Sequence, residues 1–209
     1  TLWEDWSPQV FGLSADVAPS VERDWRVRMV RVLWAALFDG GSGGDPVLAE
    51  DVYNIETADE ALRLKGIETL SSLGEKAKPH AAKIAVLLKD TSAEVRRSAI
   101  SALVGLKDNS PEVVQALSAM VSGDAEANVQ TTALHALLDI GAHEQFMKGC
   151  KEAIAGDDAD KRGEAIMYLG EAAMGDVAGA KEELEAIAGG PDAEAATVAK
   201  DSLQMLEEQ

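Results

Sequence analysis

Apolar side chains recur along this chain at the three-and-four spacing that places them on one face of a helix, and the helices so marked recur in their turn. In the segment Asp90 to Leu103, "DTSAEVRRSAISAL", Val95, Ala99, Ile100 and Leu103 share a face. The same register holds Leu37, Leu70, Leu103, Leu137, Leu169 and Leu203, at steps of 33, 33, 34, 32 and 34 residues. One turn before these leucines stand Leu33, Gly66, Ala99, Ala133, Ala165 and Ala199, of which all but Leu33 are small. Small side chains there let a neighbouring helix axis come close. A second register, Ile55, Leu88, Val121, Ile154 and Ile187, repeats every 33 residues, and each member closes a shorter apolar segment ahead of a leucine helix. The repeating unit is therefore a pair of helices.

The pattern predicts leading helices over about 45–55, 77–89, 110–122, 143–155 and 176–188, and trailing helices over about 24–38, 58–73, 92–106, 125–140, 159–173 and 192–207. Residues 1–20 take the place of the first leading helix. Gly, Asn or Pro separates one pair from the next in "SLGEKAKPH", "GLKDNSPEV" and "DIGAHEQ", and acid-rich N-caps join the partners in "KDTSAE", "SGDAEA" and "GDDADK". "FDGGSGGDP" at 38–46 resembles a flexible linker, but the leucine step across it is still 33, so it reads as the loop between two repeats. The position after each small residue is Trp34, Ile67, Ile100, Leu134, Ile166 and then Lys200. A charge in an otherwise apolar column predicts that Lys200 is exposed, that Ile100 and Ile166 are buried, and that the array ends on a capping helix. The expected organisation is one domain over 1–209. It has an atypical Trp-rich N-terminal repeat at 1–44, central repeats at 45–190 and a capping helix at 191–209.

At this point the chain resembles the HEAT-repeat family, including the short HEAT-like repeats of phycobilisome lyases. "LGEKAKPHAAKIAVLLKDTSAEVRRSAISAL" carries the Pro of the leading helix, the Asp of the inter-helix turn, and Val-Arg followed by Ala and Ala-Leu in the trailing helix. The likeness is fullest over 57–141. It implies an all-α, right-handed α-solenoid of about six HEAT-like helix pairs, with trailing helices lining the concave side. Lys65, Glu68, Arg97, Ser101, Thr131, His135 and Glu164 then face a partner. It also implies a ladder between repeats built from an Asp and an Arg six residues later. Asp90 and Arg96 match; Gln130 replaces the Arg after Asp124, and Arg63 and Arg162 follow Thr57 and Gly156, so a partial ladder is expected.

Composition narrows the function classes. Nineteen basic residues stand against thirty-seven acidic ones in 209 residues, a net charge of -18 that repels nucleic acid. The acid is graded: nets of -3, -5 and -10 fall on 1–45, 46–141 and 142–209. There is no run of eighteen apolar residues for a membrane span, and residues 1–20 lack the basic and apolar regions of a signal peptide. These features favour an intracellular or organellar chain over a secreted one.

Candidate chemistry is sparse. Cys150 stands alone in the register of Ile84 and Leu117, which marks it as a buried small hydrophobe. His80, His135 and His143 lie in different repeats, too scattered for a metal site, and His135 shares its column with Glu68, Ser101 and Asp201, which predicts a solvent-facing ring. The carboxylates lack the paired environments that acid-base catalysis needs. "GGSGGD" lacks the Gly-Lys-Ser/Thr ending of a phosphate loop. All four tryptophans, Trp3, Trp6, Trp25 and Trp34, fall in the first 34 residues. The expected function is a non-catalytic protein–protein interaction module, a scaffold or accessory subunit of a larger assembly. It needs no cofactor or metal, and its candidate protein contacts are Trp3, Trp6, Phe11, Arg97 and His135, with a cap over the open end of the solenoid an equal reading of Trp3 and Trp6. The alternative, from the lyase likeness, is an assembly factor or lyase-like subunit for a chromophore-binding photosynthetic antenna protein.

Overall fold

The computed structural model describes residues 54–56 and 58–208. Over these residues the chain is an all-α solenoid of stacked helix pairs. Asn54 and Ile55 are helical. After them come the trailing helices α1 (Glu60–Ser72), α3 (Ala93–Gly105), α5 (Ala127–Asp139), α7 (Ala159–Met174) and α9 (Ala193–Glu207). Between these lie the leading helices α2 (Ala81–Val86), α4 (Pro111–Gly123), α6 (His143–Ala155) and α8 (Ala180–Ala188). Among the described residues, α3, α5, α7 and α9 each pack on the leading helix before them, and successive trailing helices pack on one another.

Both registers fill the core. Leu70, Leu103, Leu137 and Leu169 are fully buried, and so are Ala99, Ala133, Ala165 and Ala199 one turn before the leucine positions. Ile67, Ile100, Leu134 and Ile166 are buried, whereas Lys200, at the equivalent place, is exposed. In the leading-helix register Ile55, Leu88 and Val121 are buried and Ile154 and Ile187 half-buried. Trp3, Trp6, Phe11, Trp25, Trp34, Leu37 and the segment 38–46 lie outside the described residues.

Two leading helices differ from the expected spans. The one predicted over 77–89 is a 3-10 segment Gly74–His80, the short α2, and a 3-10 turn Leu87–Lys89. Pro79 lies inside the first of these pieces. It offers no N–H and crowds the preceding turn, so α geometry begins only beyond it. The one predicted over 176–188 begins at Ala180, because Asp176 and Gly179 adopt left-handed backbone (φ 57° and 85°).

Local signals fix the turns. Asp59, Ser92, Asp158 and Asp192 cap their trailing helices by accepting backbone N–H bonds from the first turn. On leaving, α3, α5 and α7 close through a left-handed residue, Lys107, Gly141 or Asp176. In each case the following residue donates to the carbonyl five residues back: Asp108 N–H to Leu103 O (3.0 Å), Ala142 N–H to Leu137 O (2.8 Å) and Val177 N–H to Ala172 O (2.9 Å). Left-handed backbone costs a residue with a Cβ about 1–2 kcal/mol. Lys107→Gly is therefore expected to raise the unfolding free energy by up to about 1 kcal/mol, after the greater chain entropy of glycine is subtracted; urea denaturation of the variant beside wild type measures it.

Candidate functional site

The trailing helices meet along a ladder of polar side chains, which the sequence outlines only in part. Asp90, Asp124 and Asp192 sit in the inter-helix turns before α3, α5 and α9, and each accepts the N–H of the residue two further on, of Ser92, Glu126 and Glu194. The same carboxylates also accept from arginines of the previous repeat. Arg63 Nη2 donates to Asp90 Oδ1 at 2.9 Å, with Nε 2.8 Å from Oδ2. Arg96 Nε and Nη2 donate to Asp124 Oδ2 and Oδ1 at 2.7 and 2.6 Å. Arg162 Nη1 donates to Asp192 Oδ2 at 2.9 Å. The same arginines bind the turn at the start of their own helix: Arg96 Nη1 donates to Asp90 O and Arg162 Nη2 to Gly156 O.

The partial ladder expected from sequence is thus corrected. Arg63 and Arg162 follow Thr57 and Gly156, yet each reaches an Asp, because the carboxylate comes from the next repeat. Where Gly156 offers no carboxylate, the rung is rebuilt: Gln130 Nε2 donates to Asp124 O, and Lys161 Nζ reaches back to Gln130 Oε1 (2.7 Å) and Val121 O (2.6 Å). Lys161 and Asp192 are structural residues that sequence reasoning missed; the only signal was their place one turn into, or just before, a trailing helix.

Electrostatics follow from this packing. Burial works to raise the Asp124 carboxyl, but the Arg96 hydrogen bonds and the N–H of Glu126 outweigh it and hold the group below its ordinary value. The hydrogen bond to Asp124 likewise raises Arg96. Cys150 is fully buried, as are its register partners Ile84 and Leu117, and burial, with Glu183 nearby, pushes its thiol up to about 12. A buried neutral thiol is a poor nucleophile. Cys150 is expected to react with a thiol reagent at least about 100-fold slower in the native protein than in denaturant; equal rates would show that the leading-helix register is misread.

The structure spreads the sequence-predicted partner residues along the trailing helices. Lys65, Glu68, Arg97, Ser101 and Glu164 are exposed, in agreement with expectation. Thr131 is a correction: it is buried, and its hydroxyl bonds Asn128 O. Its column holds Leu64, Arg97 and Gly163, at the edge between neighbouring helices, where a long arginine reaches solvent and a short threonine is covered. His135 is about one-third exposed. It joins three side chains, with Nδ1 3.3 Å from Asp139 Oδ2, Nε2 3.0 Å from Glu171 Oε2, and its ring 4.7 Å from that of Tyr168.

No reactive constellation converges among the described residues. A recess of about 530 Å³ between Ile55, Leu87 and Thr91 is lined by Glu56, Arg63, Lys83 and Asp90. These charges pair with one another, Lys83 with Glu56 and Arg63 with Asp90. His, Cys, Asp and Glu side chains nowhere gather in a group able to hold a metal ion among the described residues. No helix among those residues is long and apolar enough to cross a membrane.

Residues 81–148 match the family model for HEAT repeats. No curated protein matches the chain. Among solved structures, a crystal structure of an engineered protein from the Northeast Structural Genomics Consortium is similar at 17% identity, over 92% of this chain and 93% of that one, with a TM-score of 0.48.

Proposed function

We propose, on the premise that residues 81–148 are HEAT repeats and that the same helix pair recurs through Glu207, that this protein is a non-catalytic interaction module. It acts as a scaffold or accessory subunit of a larger protein assembly. HEAT repeats mediate protein–protein interaction. One observation carries the reading: the polar ladder holds the trailing helices in a continuous row whose outer side chains, among them Lys65, Glu68, Arg97, Ser101 and Glu164, face solvent. A stack of this kind presents an extended, pre-organised surface, which lowers the ordering cost of binding. Arg97 and His135 are assigned to partner contact on this row, and Trp3, Trp6 and Phe11 to a docking segment at the N-terminal end.

The test is co-purification from the native source with an affinity-tagged full-length chain, followed by mass spectrometry. Proteins held by wild type are expected to be lost from an Arg97→Glu/His135→Ala variant. Removal of residues 1–20 separates two roles for the aromatic segment: loss of partner with an unchanged melting temperature supports docking, and a lowered melting temperature with partner retained overturns it. An identical set of captured proteins from every variant would overturn the assignment of this surface.

A further inference from the structure

The last two trailing helices differ from the others in what they show to solvent. In α7 the outward stripe is Asp160, Glu164, Met167, Glu171 and Met174, all exposed. The register shifts by 34 to give Glu194, Val198, Asp201 and Met205 in α9 and Glu208 at its C-cap, of which all but the half-buried Val198 are exposed. Six carboxylates, three methionines and a valine occupy these two stripes without one basic residue. The fifteen corresponding positions of α1, α3 and α5 carry five acids and neither methionine nor valine. Met167 and Met205 are each 61% exposed, more than any other large apolar side chain among the described residues except Val86.

The geometry of the previous pair of helices shows how the two methionines stand. His135 occupies in α5 the register position of Met167, and it touches Tyr168 and Glu171, one and four positions further on in the next trailing helix. The same offset from Met167 lands on Ser202 and Met205. The helices are close there, since a Cβ built on Gly170 would lie 3.0 Å from Ser202 Cβ. Met167 and Met205 therefore form one apolar patch across the α7–α9 seam. Glu164, Glu171, Asp201 and Glu208 flank it; of these, Glu171 already accepts from His135 and Glu208 from Gln204 Nε2 (2.9 Å).

We infer that this α7–α9 face docks a cationic amphipathic helix of another protein, whose apolar stripe packs on Met167 and Met205 while its flanking Lys or Arg residues meet the four carboxylates. The inference deepens the interaction-module reading and rests on it. Charge complementarity selects the occupant: residues 142–209 carry sixteen acids against six bases, so an acidic partner, a nucleic acid or an anionic membrane is repelled. The thioether side chains select the mode. Unbranched and polarisable, they adapt to an apolar helix face, and a helix in a shallow groove presents just such anchors at its three-and-four spacing.

The experiment uses the full chain and two labelled 18-residue peptides of the same Leu/Lys composition, one with its leucines on a single helical stripe and one scrambled, titrated by fluorescence anisotropy in 0.15 M salt. The striped peptide is expected to bind at least tenfold tighter than its isomer. Met167→Gln/Met205→Gln should remove that preference to within twofold. Glu164→Gln/Asp201→Asn should weaken both peptides, and Glu112→Gln/Glu144→Gln, on exposed leading-helix positions, should leave the preference unchanged. Melting temperatures run alongside verify that the variants fold; the two sets of substitutions give independent routes should one alter the fold. Equal affinity for the two peptides in wild type would overturn the inference, as would a methionine variant that retains the preference. If the native partners of the preceding section still bind the methionine variant, this face is wrong while the interaction module stands.

Discussion

Arg96→Ala is expected to lower the unfolding free energy by about 3–5 kcal/mol, the cost of leaving one member of a buried ion pair alone. The Arg96 and Asp124 side chains keep only 11% and 5% of their accessible surface, and the guanidinium grips the carboxylate with two short bonds while donating to Asp90 O in its own turn. Removing it strands the Asp124 charge between α3 and α5 and frees a turn carbonyl at the same time. Chemical denaturation at pH 7 measures the loss. Acid gives a second signature. The folded-state pKa of Asp124 lies below its ordinary value, so the stability it contributes is complete above the unfolded pKa of about 3.9 and is lost as pH falls through the lower folded value. Wild type should therefore lose this contribution below about pH 4, and Asp124→Asn should have none to lose in that window.

Ala133→Leu is expected to cost about 1–3 kcal/mol by overpacking. Ala133 is fully buried in the small-residue column, with Leu134 and Leu137 beside it also at zero exposure, so three added carbons have no solvent to enter. The neighbouring Gly149 shows how tight this layer is, since a Cβ there would lie 2.8 Å from Leu134 Cδ1 and 3.3 Å from Val121 Cγ1. An unchanged denaturation midpoint for Ala133→Leu would mean that the column does not face a packed helix.

Much of this packing was legible in the sequence, because burial in a repeat leaves a periodic record. The columns of Leu103, Ala99 and Ile100 predict the core of every described pair but the last, where Leu203 is half-buried and Lys200 exposed, and the alignment of Cys150 with Ile84 and Leu117 predicts a buried thiol. What the period does not encode is which neighbour a long side chain reaches. The Asp90–Arg96 spacing marks a ladder between repeats without saying which carboxylate each arginine takes; the guanidinium of Arg96 spans to Asp124 and that of Arg63 to Asp90. A substituted rung is harder still to read, since Lys161 and Gln130 share no motif with Arg and Asp. Pro79 was visible as a helix-breaking residue, yet the conversion of the flanking turns to 3-10 geometry depends on packing as well as on its missing N–H. On the partner face, equal register did not mean equal exposure: Arg97 and Thr131 share a column, but only the longer side chain emerges. The exposed methionines of α7 and α9 were hidden by the opposite effect, because methionine reads as core until its column is seen to face solvent.

The double-mutant cycle of Arg96→Ala, Asp124→Ala and the double variant, followed by urea denaturation at pH 7, measures directly whether neighbouring repeats are joined through the ladder. A stacked solenoid in which Arg96 of one repeat holds Asp124 of the next requires a coupling energy of about 1–3 kcal/mol. Additive losses, with coupling indistinguishable from zero, would contradict that stacking.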